Sequence, residues 1–154
     1  MASTQIDLIF QAVHDLSVQY DSDITIPVWD YDEVSANLSA DTCPVRVLMV
    51  GGTDTATGEE MAFVGIGVTV SVRWRLLDRL YLKALPLGRG IEEASPNIIK
   101  YIAAYVDAAR MARGITVQSH LASLSFRPSV QEWGATQFYC IDVDLVIEEY
   151  ITGP

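Results

Sequence analysis

The stretch DRLYLKALPLGRGIEEASPNIIKYIAAYVDAARMARG, residues 78–114, decides how this chain is read. Its second half carries the signals of a helix at both ends. Ser95 offers a hydroxyl to the free amides of a first turn. Pro96 follows, where a missing N–H costs nothing. Gly114 supplies a left-handed residue to end the helix, with Arg110 and Arg113 near the negative end of its dipole. Between these signals Ile98, Ile99, Ile102, Val106 and Ala109 recur at helical spacing, so one face is expected to pack on a sheet built from the flanking strands. Tyr101 and Tyr105, one turn apart, are then left for a neighbouring molecule.

Upstream, Met61 to Leu77 alternates Val64, Ile66, Val68, Val70, Val72 and Trp74 with small or charged residues and reads as one long strand. Gly65 and Gly67 mark a bend in it or a close backbone approach. Asp78 to Leu85 reads as a further strand or turn. Downstream, residues 115–126 read as a strand, SVQEWGAT as a polar connection, and Phe138 to Tyr150 as a last alternating strand. Ahead of all these lie an amphipathic helix over 3–20, with Ile6, Ile9, Phe10, Val13 and Leu16 on one face and Ser3 or Thr4 as cap, a short extended piece from Ile24 to Trp29, and the strand VRVLMV after Pro44. The expectation is a single α+β domain over 1–154: a mostly antiparallel sheet with two helices packed on it.

A chain of 154 residues is long enough to bury a sizeable core. Half its residues are hydrophobic and only 19% are charged, below the usual share of about 25%, which suggests apolar surface hidden at subunit contacts. The net charge of −10 disfavours a tight grip on phosphate backbones, since each such contact needs a Lys or Arg. Two cysteines, Cys43 and Cys140, make no disulfide framework. The N-terminus has no basic n-region or apolar core, and the run 61–76 is too short and too interrupted by Arg for a bilayer, so neither a signal peptide nor a membrane span is expected.

Chemistry-bearing motifs are few. Asp142, Asp144 and Glu148 share one face of the last strand, a geometry open to a hard cation, yet a solvated or salt-bridged face is the simpler reading, with Arg73 and Arg75 as partners across the sheet. Leu87-Gly88-Arg89-Gly90 precedes a helix but matches neither a dinucleotide nor a P-loop fingerprint. His14 and His120 are the only imidazoles, and no nucleophile elbow accompanies them. No cofactor or metal is expected. The loop GGTDTATGEE (51–60) has nothing apolar to bury, so it is either a surface excursion or a segment ordered by a partner.

Two segments, RLYLKALPLGRGIEEASPNIIKYIAAYVDAAR and FYCIDVDLVIEEY, carry a resemblance. Asp78, Leu80, Leu82, Pro86, Gly88, Gly90, Tyr101, Ala104 and Tyr105, and then Tyr139, Val143, Val146 and Glu148, resemble the pattern of tail terminator (tail completion) proteins of tailed bacteriophages. The resemblance implies a non-enzymatic virion protein, made in the host cytoplasm, with a tail-terminator-like fold. It would form a hexameric ring that caps the tail tube, stops its polymerisation and joins neck or connector proteins, while DNA passes through without specific binding. It places partner contacts on Thr53, Asp54, Thr55, Thr57 and Glu59, on Arg89 and Glu92, and on Tyr101 and Tyr105, and puts Asp142, Asp144 and Glu148 on the channel. Another head–tail connector or neck protein, and a small cytoplasmic enzyme with an intersubunit site around His120, Cys140 or the acidic trio, are the alternatives.

Overall fold

In the computed structural model the residues described are 3–20, 24–29, 38–39, 42–49, 60–63, 70–84, 95–112 and 114–152. The chain runs through helix α1 (Ile6–His14), the two-residue strands β1 (Gln19–Tyr20), β2 (Ile24–Thr25) and β3 (Val28–Trp29), then β4 (Val45–Met49), β5 (Glu60–Phe63) and β6 (Val70–Ala84). Helix α2 (Ser95–Met111) follows, then β7 (Gly114–Thr116), β8 (Ser119–Trp133) and β9 (Thr136–Ile151). The main sheet has the order β3-β4-β6-β9-β8-β7, and β1 and β2 form a separate antiparallel pair. One edge of β6 lies along β9, from Val70↔Ile151 to Ala84↔Phe138. Its other edge is shared: β5 takes Val70 to Arg73 and β4 takes Leu77 to Tyr81.

This overturns the expected architecture. The sheet is a curled, mixed one, a half-barrel with two helices, and not a mostly antiparallel sheet with helices packed on it in the tail-terminator-like arrangement. Two physical causes are visible. β3 pairs parallel to β4, with Val28 opposite Arg46, and alternation along a strand says nothing about the direction of its partner. The three longest strands have 15, 15 and 16 residues, so their right-handed twist accumulates, and irregularities at Tyr81/Lys83 and Leu121/Ser123 bend them further.

Other boundaries move too. The expected single strand 61–77 is the two antiparallel strands β5 and β6, with Phe63 opposite Val70, and β6 continues through Asp78 without a break. SVQEWGAT is mostly strand: β8 and β9 meet at Trp133↔Thr136 around a two-residue turn. Gly134 sits there at φ 61, the left-handed region that a tight hairpin demands of its first central residue. Gly114 opens β7 instead of ending a helix in the left-handed region.

Both helices share one apolar cluster with one side of the sheet. Ile9 and Val13 of α1 and Ile98, Tyr101 and Tyr105 of α2 meet Leu76 and Leu80 of β6 and Ile141, Val143, Leu145 and Ile147 of β9. Full burial of each aliphatic side chain is worth about 1.5–3 kcal/mol, which makes β9, covered on both edges, the spine of the molecule.

Two buried polar knots set how the helices sit. The Arg46 side chain is fully buried, as is Asp78. Arg46 Nε donates to Asp78 Oδ2 at 2.9 Å, and its terminal nitrogens donate to Leu16 O at 2.7 Å and Val13 O at 3.1 Å, so one guanidinium closes the end of α1. The Tyr105 hydroxyl donates to the same Asp78 oxygen at 2.6 Å. Burial, and after it the Asp78 charge, pushes the Tyr105 phenol well above its ordinary value, which keeps it a donor. At the other end of α1 no side chain of the helix itself caps it. The buried Glu149 carboxylate does so, accepting from Gln5 N, from Thr4 Oγ1 at 2.9 Å, from Trp74 Nε1 at 2.8 Å and from Gln118 Nε2 at 2.7 Å. Burial pushes Glu149 up, but these donors outweigh it and hold the carboxyl below its ordinary value.

Replacing Arg46 with Ala strands a buried carboxylate and is expected to cost about 3–5 kcal/mol in chemical denaturation, whereas Tyr105→Phe, which leaves Asp78 its arginine, should cost about 1–2 kcal/mol. Glu149 sets a pH dependence. Because its folded-state pKa is depressed, its contribution is present above the unfolded value of about 4.3 and is lost as pH falls through the lower folded value. Glu149→Gln should therefore lower stability by about 1.5–3 kcal/mol at neutral pH, and the gap from wild type should narrow in melts below pH of about 4.

Candidate interaction surface

Strand parity sorts the charged residues onto one side. Leu76 and Leu80 join the helices' cluster, so Arg73, Arg75 and Arg79 of β6 point to the opposite face. Register aligns them with β9 and β8 in straight rows: Arg73–Glu148–His120, Leu77–Asp144–Ser125 and Arg79–Asp142–Arg127. The acidic trio read from the sequence does share a face, and it is the face turned away from the helices.

Asp142 is not an exposed channel charge within this chain. Only 3% of its side chain is accessible. Arg79 grips it through Nε at 2.7 Å and a terminal nitrogen at 3.2 Å, and Arg127 approaches from the other strand at 3.6 Å. Glu148 accepts from Ser71 Oγ at 3.0 Å and lies 3.8 Å from His120 Nε2. The carboxylates sit low while Arg73, Arg75 and Arg127 stand exposed above them. The sequence reading named Arg73 and Arg75 as partners and missed Arg79 and Arg127. Only the register of three strands reveals that pair, because Arg127 lies 15 positions before Asp142 and Arg79 lies 63 before it.

The helix α2 reading is corrected as well. Tyr101 and Tyr105, assigned to a neighbour, are 4% and 0% exposed, whereas Ile99, assigned to the sheet, is 69% exposed. The inward face is Ile98, Tyr101, Tyr105 and Ala109, and Ile99 and Val106 face outward. Thr53, Asp54, Thr55, Thr57, Glu59, Arg89 and Glu92 lie outside the described residues.

The outward side of α2 borders a groove of about 690 Å³ floored by β8, with Val106 and Ala109 on one wall and Leu121, Leu124 and Phe126 on the other. Arg110 and His120 also line it. Beyond His120, where β7 ends its pairing, the outer edge of β8 has no strand partner among the described residues. A second groove, of about 580 Å³, lies between the end of α1 and α2, walled by Ala12, Ala104 and Ala108 with Asp15 and Asp107 at its rim.

Burial pushes the thiols of Cys43 and Cys140 up to about 11 and about 12, which removes the thiolate needed for nucleophilic chemistry at neutral pH. Among the described residues no three His, Cys, Asp or Glu side chains come together as a metal site, and no helix is long and apolar enough to cross a membrane. What these surfaces can do chemically is bind other molecules through apolar contact, exposed cations and an open backbone edge.

The charged rows make a sharp prediction for stability. Asp142→Asn leaves two arginines without their shared counter-charge and should cost about 3–5 kcal/mol. Arg127→Gln removes only an exposed, longer contact and should cost less than about 1 kcal/mol. Urea melts of the two variants side by side check the ranking.

No family model matches the chain, and no curated protein matches it.

Proposed function

We propose that the chain is a structural virion subunit that assembles into a ring, most simply a hexamer, at the head-proximal end of a phage tail. In that place it stops growth of the tail tube, contacts neck or connector proteins and leaves a passage for DNA. The reading rests on the resemblance in residues 78–110 and 138–150. The observation that carries it is the amount of large apolar side chain left in water: Ile99 at 69%, Met111 at 84% and Val117 at 97% exposed, with Leu8, Val106 and Val130 about half exposed. A chain with 19% charged residues that leaves such groups on its surface is suited to permanent subunit contacts. Its excess of 20 acidic over 10 basic residues suits a wall that DNA slides past, because phosphate binding scales with the number of cations engaged.

Negative-stain images of the purified protein should show closed rings with a central hole, and those rings should seat on the ends of tail tubes. Particles assembled without the protein should carry tails of uncontrolled length. Rings that bind portal assemblies and never tubes would mean a connector instead, and particles with normal tails in its absence would remove the terminator role. Duplex DNA should not be retained by the rings at about 0.15 M salt.

A further inference from the structure

We draw no further inference here: the strongest candidate, the apolar groove floored by β8 along the outward side of α2, carries none, because nothing in the structure shows what covers it.

Discussion

A single guanidinium, that of Arg46, joins four pieces of this molecule. It is covalently part of β4, it is paired with Asp78 of β6, it binds the carbonyls of Val13 in α1 and of Leu16 just after it, and through Asp78 it reaches the Tyr105 hydroxyl of α2. Its ring partner is also close, with the guanidinium carbon 5.4 Å from the Tyr105 centroid. Burial works against the Arg46 charge and the Asp78 charge more than restores it. A buried pair of this kind adds little net stability over a well-packed apolar pair, but any arrangement that separates its members leaves a charge stranded. That asymmetry is what holds α1 and α2 in one relation to the sheet.

Glu149 does the complementary task at the far end of α1. It draws the amide of Gln5 and the hydroxyl of Thr4 onto the end of β9, beside Trp74 and Gln118. The helix is therefore fixed at both ends by charged groups that belong to the sheet. With its inner side committed, α2 turns Ile99, Lys100, Ala103, Val106, Asp107, Arg110 and Met111 outward, and beyond His120 the outer edge of β8 has no strand partner among the described residues. The apolar side chains left exposed follow from the way the core is closed.

Much of this was legible before any coordinates. The apolar stripe of α1, the start of α2 at Ser95, the strand after Pro44 and the alternation of the last strand all follow from local pattern. What was hidden depends on partners far away in the chain. Asp78 reads as the start of a further strand or turn, whereas β6 runs through it, and only Arg46, 32 residues earlier, makes its burial inside the sheet tolerable. Tyr101 and Tyr105 read as polar enough for a surface, yet the Tyr105 hydroxyl is satisfied inside by Asp78. The turn at Gly134 was masked by the polar residues around it, which are partly exposed residues of β8 and β9. Strand direction, and with it the mixed, curled sheet, has no local signal at all.

The claim that most needs testing is that these outward surfaces exist to join copies of the chain. Sedimentation equilibrium of the wild-type protein measures the mass of what forms in solution, independent of shape. The account predicts a single species at a closed-ring multiple of 16.9 kDa, six for the hexamer. A mass equal to one chain at every concentration that stays in solution would contradict it.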